Sequence, residues 1–486
     1  MKKQTFTFAF IVLAITTLFG QSTYQKTFDW ADDLVPENLR VINGDLYFPV
    51  LMYNEGNIGF TTIYKFNDVG EVLDSIQISE GLYCWVFDVQ KEGDNLMAFA
   101  SSWESPTGPV SFIIYNLTQE LQLISTNIYP TSWGGFNRIH GFIKNNGNHV
   151  IIGDLSTDPM SPTMGNYDIY IAEINANAEI VKDTIYNRPG MQVPWAADYN
   201  TIKNTFHLIT DESFDPNLPA QSQYNELDSS YKIIYSDEIN SPVYFYGYKA
   251  IKVIDSNSFF QAGDVAVNAV PYYDAYGICR FNNNYDLEEH ENILYNNDTT
   301  NKAAFYKCFD YYDLNSLYFI GTVNYKASMN RISYLRIIKL DSNFNVLWDK
   351  YYGGDRAYFA NEIKALEEGG CIITTYYKDA PNFDKRRVML LKLDQNGLIT
   401  STNQEPAIPI KNAIITPNPG NNYLQLHTGI FPATLQIFNT KGQMVLERKI
   451  QQNSTTIQTQ TLAAGTYVWQ LQKDGSIVEV GKWVKE

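Results

Sequence analysis

The sequence predicts an all-β fold, a seven-bladed β-propeller followed by a small C-terminal β-sandwich. Three observations predict it. Aromatic residues make up 14% of the chain, with 35 Tyr and 27 Phe among 486 residues, and rings suit a pleated surface better than a helix. A unit of strand, turn, strand, loop, strand, turn, strand recurs seven times without helical periodicity between copies. After Thr402 the repeat stops, and a Pro-containing polar stretch leads into a different alternating pattern.

The N-terminus sets the first boundary. Lys2 and Lys3 precede an uncharged apolar run from Phe6 to Phe19, and Gly20 supplies a small residue where cleavage would fall. Residues 1–20 therefore read as a secretory signal peptide. The run is short against the roughly 20 residues that span a bilayer. No cysteine follows it, so the lipid-attachment signal is missing, and no second long apolar stretch follows. The expected product is exported after Sec transport to the periplasm, with no transmembrane segment in the mature chain.

The repeat is clearest from Phe359, FANEIKALEEGGCIITTYY followed by RRVMLLKLDQNGLIT, and in the unit before it, FYKCFDYYDLNSLYFIGTVNY followed by YLRIIKLDSNFNVLWDKYY. The first turn of each unit falls at Gly44, Gly93, Gly147, near Asn204, Ser256, Asn315 and Gly369. Gly, Asn and Asp at such positions give a hairpin the backbone freedom it needs. A four-stranded blade cannot bury both faces alone, and stacking seven around an axis does so. The domain expectation is 1–20 signal peptide, 21–402 propeller, 403–412 linker and 413–486 sandwich. Residues 23–30, TYQKTFDW, resemble LWDKYY at 347–352, the fourth strand of the sixth unit. They are expected to close the ring by pairing into the last blade beside Leu398–Thr402.

Charge narrows the function. The net charge is -17, although residues 1–21 and the tail are both net positive, so the propeller region is more acidic still. That field disfavours nucleic acid and anionic bilayers. Four cysteines (Cys84, Cys279, Cys308 and Cys371) sit among apolar neighbours and read as buried small hydrophobes. A Cys279–Cys308 bridge is open but not required. No His-Glu-x-x-His, Gly-x-Ser-x-Gly or phosphate loop occurs. Asp341-x-Asn343-x-Asn345 and Asp394-x-Asn396-Gly397 superficially suggest calcium loops, but their common place in the repeat makes them turns. His149 and His207 read as packed strand residues, and Asp32-Asp33 as solvated charge. No cofactor, metal or catalytic residue is assigned.

The tail carries Pro417-Asn418-Pro419, an Ile437-Phe438-Asn439 strand end turning at Gly442, Leu462-Ala463-Ala464-Gly465-Thr466-Tyr467, and the terminal Gly481-Lys482-Trp483-Val484-Lys485. In this order the elements closely resemble the type A C-terminal sorting domain of cargo of the Bacteroidetes type IX secretion system. The resemblance implies an interaction with that machinery, passage through the outer-membrane translocon, removal of the tail, and a product released or held on surface lipopolysaccharide. The repeats resemble the degenerate propeller units of such cargo, which speaks to fold alone.

Aromatics recur about eight to eleven positions before each first turn: Trp85, Phe136, Trp195, Tyr246 and Tyr248, Tyr306, and Tyr358 with Phe359. That phase places them where one blade's outer strand passes to the next blade's inner strand, on the face where propellers generally bind ligands. Trp85, Phe136, Trp195, Tyr248, Tyr306 and Tyr358 are therefore the candidate ligand-binding residues, with inter-blade packing as the competing role. The functional expectation is a secreted or cell-surface, non-catalytic binding module for an extracellular glycan, peptide or protein. The alternative is a polysaccharide- or peptide-cleaving hydrolase or lyase with acidic residues at the central channel.

Overall fold

The computed structural model describes residues 23–486 apart from 29–32, 54–58, 80, 82, 104–109, 132–135, 157–166, 187–190, 214–220, 239–243, 268–272, 283–286, 295–300, 327 and 400–409. The expected signal peptide lies outside the described residues. Every regular element among them is a strand. The chain is a seven-bladed β-propeller with a C-terminal β-sandwich.

The inner strands, in blade order, are Asp33–Pro36 with Arg40–Ile42, Tyr83–Glu92, Phe136–Ile143, Met191–Asn200, Tyr244–Val253, Lys302–Ala303 with Phe309–Tyr311, and Arg356–Ala365. Each begins an antiparallel sheet that runs outward in chain order. Blades 1 and 2 are fused by a single parallel contact between Gly59 and Tyr83. The second strands of blades 1 and 2, Asp45–Tyr53 and Asn95–Trp103, are buried except at their ends. Leu317–Val323 is buried along its whole length, as its unbroken hydrophobic run requires when both faces are covered by neighbouring blades.

The second hairpin turn has one chemistry in six blades. Asn67, Thr118, Asn175, Asp228, Asp341 and Asp394 each accept the amide three residues on through their carbonyl. The side-chain oxygen accepts the amides two and four residues on, as Asp341 does from Asn343 and Asn345 at 2.9 Å each and Asp394 from Asn396 and Leu398. The two suspected calcium loops are thus turns whose carboxylates hold backbone. The fourth residue of the turn has positive φ, and it is Leu121, Ala178, Tyr231 or Phe344 in four blades. A bulky residue there is strained, and its burial in the preceding blade offsets the strain: Phe344 packs on Phe260, 5.7 Å between centroids. In blades 1 and 7 the position is Gly, and the preceding blade fills the space with Tyr24 or Trp348 instead.

The ring closes differently from the expectation. The expected partner was Leu398–Thr402, of which 400–402 lie outside the described residues; Tyr24–Phe28 pairs directly with Val388–Lys392 and is itself the fourth strand of blade 7. Leu398 and Ile399 are outside any strand, because the edge they would have used is already taken. Arg386 seals the joint, its Nε donating to Asp33 Oδ2 at 2.8 Å and its amide to Asp33 Oδ1 at 2.6 Å. Asp33 is therefore a paired carboxylate rather than a solvated one.

The tail forms two sheets. Ala413–Thr416, Tyr423–Thr428 and Ser454–Gln458 make one. Met444–Ile450, Ala433–Asn439, Gly465–Lys473 and Ser476–Lys485 make the other. Leu424, Leu426, Leu435, Ile437, Trp469, Leu471 and Trp483 fill the space between them. All four cysteines are buried and unbridged.

Candidate functional site

Seven inner strands crowd together at the axis, and their ladders break there. Bulges fall between Val86 and Asp88, Asn137 and His140, Pro194 and Ala196, Phe245 and Tyr248, and Ala360 and Glu362. In blades 1 and 6 the inner strand is instead split in two. A bulge re-aims the residues that follow it, and Asp88 and Glu362 directly follow two of these. Arg40 grips Asp88 through Nε and an Nη, both at 2.6 Å. Lys307 meets Glu362 at 2.9 Å, and Lys252 and Lys364 both reach Asp310 at 3.0 Å. With His140 and Asp198, all of these but Asp88 line an axial cavity of about 130 Å³, and a second hollow of about 470 Å³ opens around Arg40, Lys91, Phe142 and Tyr199 toward the first-turn face.

Electrostatics follows from this packing. Burial works against the Asp310 charge, but Lys252 and Lys364 outweigh it and hold the carboxyl below its usual range. Burial lowers the Lys307 ammonium against the pull of Glu362. Burial, with Lys307 nearby, pushes the His140 imidazole down to about 4, so it is neutral at physiological pH. A polar chain leaves the axis from the Arg40–Asp88 pair. Gln90 Nε2 donates to Asp88 Oδ2 at 3.0 Å, Gln90 Oε1 lies 2.6 Å from His149 Nδ1, and His149 Nε2 lies 2.7 Å from Glu92. His149 and His207 are both buried and hydrogen-bonded, the packed role expected of strand histidines.

One acid stands apart from the ion pairs. Glu37, in the gap between the two short inner strands of blade 1, is 1% exposed, and its Oε1 has no hydrogen-bond partner among the described residues. Burial pushes its carboxyl well above the usual range, Glu362 adds to the push, and the Trp85 indole and Tyr306 hydroxyl act against it. The Asn361 Oδ1 is likewise buried with no hydrogen-bond partner among the described residues. Asn361 Nδ2 donates to Pro36 O, next to Glu37, and the Tyr306 amide donates to Asn361 O. Residues from blades 1, 2, 6 and 7 thus converge on a buried carboxyl whose proton affinity is raised, with the Trp85 and Tyr306 side chains beside it.

Of the six candidate aromatics, Trp85 and Tyr306 are brought together at Glu37. Both are half-buried and also pack: Trp85 on Phe87 at 5.6 Å, Tyr306 edge-on to Phe305 at 5.0 Å. Trp195 is half-buried at the blade 4 bulge. Tyr358 is 2% exposed, donates to Asp355 at 2.8 Å and occupies the space beside Gly353. Its role is packing between blades. The side chains of Phe136 and Tyr248 lie outside the described residues. Sequence reasoning passed over the axial charges and Glu37. Their signal was present, since a charged residue or His falls four to seven positions before each first turn, in an otherwise apolar strand.

In the tail, the quoted motif residues are joined by local bonds. Asn418 Nδ2 donates to Lys482 O at 2.8 Å, the Val484 amide donates to Asn418 Oδ1 at 3.0 Å, and Trp483 Nε1 donates to Pro417 O. Lys485 Nζ donates to the carbonyls of Thr459 and Leu462, both at 2.7 Å, and Tyr467 donates to Ala463 O. Gly442 closes a turn of the propeller type on Asn439, with positive φ, and Gly465 opens the strand that carries Tyr467. Gly481 leaves room for the Trp469 indole, 2.4 Å from where a Cβ would stand. Pro419 precedes Gly420, whose amide donates to Val484 O. Residues 415–486 match the family model of the secretion system C-terminal sorting domain. The sorting domain marks the chain for type IX secretion, and hence for export to the cell surface or beyond.

No curated protein matches the chain. Among solved structures, a polysaccharide lyase of family PL25, an ulvan lyase bound to -[GlcA(1-4)Rha3S]-, has a TM-score of 0.53 at 8% identity, over 78% of this chain and 98% of that one. The β-propeller domain of the Trilobed protease from Pyrococcus furiosus has a TM-score of 0.45 at 10% identity, over 77% of this chain and 100% of that domain. At such identities the first likeness speaks to fold alone.

Proposed function

We propose that this chain is a secreted or cell-surface propeller, delivered by Sec to the periplasm and then by the type IX route, that binds an extracellular glycan, peptide or protein without cleaving it. The observation that carries the reading is the convergence of Trp85 and Tyr306 on the buried Glu37. Aromatic side chains beside a buried carboxyl suit a ligand with both apolar and hydroxyl or amide surface. The acids of the axial cavity give catalysis little support, because Asp310 and Glu362 are each held by a cation and Asp198 accepts the Val253 amide at 2.7 Å.

A second reading, cleavage of a polysaccharide or peptide, has one observation in its favour. Burial moves the Glu37 carboxyl well above its usual range, the direction a general acid needs. Screening the full chain against glycan and peptide arrays, followed by the Trp85→Ala and Tyr306→Ala variants, tests both readings. Binding that falls at least tenfold in each variant, with unchanged ligand recovered, supports the binding role. Normal binding by both variants overturns it, and ligand fragments abolished by Glu37→Gln establish the enzyme.

A further inference from the structure

A two-sheet sandwich buries the faces turned toward each other and leaves the outer faces to solvent. The sorting domain departs from this on one side. Along Ala413–Thr416, Ala413 and Ile415 enter the sandwich core, while Ile414, only 1% exposed, belongs to the core shared by blades 5, 6 and 7. His427 stands opposite Ile414 in the neighbouring strand, and with Thr416 and Gln425 it is also buried. The outer face of the three-stranded sheet is therefore covered, and the cover is the propeller.

The contact has three parts. Ile410–Lys411 adds a short antiparallel strand to the outer edge of blade 6, pairing with Tyr352 and Tyr351. His427 lies within electrostatic reach of Arg336, which is itself buried and held by Asp349 through Nε at 2.9 Å. Gly429 sits against Asp349 so closely that a Cβ would stand 2.8 Å from the Asp349 Cβ. Backbone pairing, an apolar anchor and close approach at a glycine are the marks of a fitted interface, and they begin beyond residues 403–409.

We propose that the outer edge of blade 6 is a receptor for the chain's own sorting domain, so that cutting the linker leaves the two parts bound until they are separated. The uncovered strand edge of blade 6 would otherwise be a free template for pairing with other chains.

The test inserts a specific protease site between Glu405 and Pro406 of the full chain. After complete cutting, the fragments are expected to co-elute in size-exclusion chromatography at physiological salt. The Gly429→Glu variant, which brings bulk and like charge to Asp349 without touching the sandwich core, is expected to let them separate. Separation of the wild-type fragments, or co-elution unchanged by Gly429→Glu, overturns the proposal. Hydrogen exchange on the uncut chain gives an independent reading. Slow exchange at whichever of the Tyr351 and Tyr352 amides faces Ile410–Lys411, accelerated at least tenfold by Gly429→Glu, supports docking, and wild-type exchange there as fast as in an unpaired segment overturns it.

Discussion

The ring of Tyr24 occupies the space that a side chain on Gly70 would need, its Cγ 2.6 Å from where the Cβ would stand. Tyr24 belongs to the strand that completes blade 7, and Gly70 to a turn of blade 1, so this contact spans the joint of the propeller. Gly70 also has positive φ. Gly70→Ala should therefore open the joint, with a loss of about 2–3 kcal/mol in urea unfolding. A change within 0.5 kcal/mol would show that the joint yields without cost.

The closing strand should matter more than its length suggests. Phe28 is buried against Phe48, Tyr64 and Phe66, with centroids 5.4–6.2 Å away. Phe28→Ala is expected to cost about 3–4 kcal/mol. Deleting residues 23–30 should lower the melting temperature by many degrees, and calorimetry of the truncated chain checks this.

Gly141 tests the axis in the same way. A Cβ there would stand 2.0 Å from Gln90 Nε2 and 2.1 Å from Asp88 Oδ2, displacing both from the Arg40 network. Leaving Asp88 badly paired in a buried setting should cost about 2–4 kcal/mol. Gly141→Ala is expected to unfold at lower urea, and an unaltered midpoint would contradict the role given to this network.

Two buried groups give opposite pH dependences. The Glu37 carboxyl is raised, so the folded state holds its proton more tightly than the unfolded chain does. Its contribution is intact below the unfolded value of 4.5 and is lost as pH rises through the folded value. Glu37→Gln should then be more stable than wild type at pH 7.5 and equal to it at pH 4, as thermal melts at both values would reveal.

His140 runs the other way. Burial and then Lys307 lower it from 6.5 to about 4, so the unfolded chain binds its proton first as pH falls. The stability it supports is intact above about 6.5 and declines toward 4. His207, lowered to about 3 by burial and then Lys203, adds in the same direction. Proton NMR of the imidazole C2 signals should show neither ring titrating above pH 5 in the folded chain, and a midpoint near 6.5 for either would contradict its burial.

How much of this could be read beforehand depends on the range over which each feature is set. The hairpin turns were legible because Asp341 and Asp394 act within four residues of themselves. The packing of Tyr358 beside Gly353 was not legible, because an aromatic at the right phase in an inner strand either faces the mouth or packs between blades, and the phase is the same for both. The closing strand was recognised, but its partner was not, because strand-like residues near Leu398 gave no sign that the edge was already taken.

The sequence by itself determined the all-β class, the seven repeats and the tail with its sorting motif, since strand alternation, turn chemistry and a short motif are written in neighbouring residues. Only the tertiary structure decided that Glu37 meets Trp85 and Tyr306, that Glu362 accepts the amide of Leu39 from 323 positions away, and that the sorting domain rests on blade 6. Those meetings exist because a closed ring brings the start and end of the chain to one axis, and no local pattern encodes which side chains arrive there together.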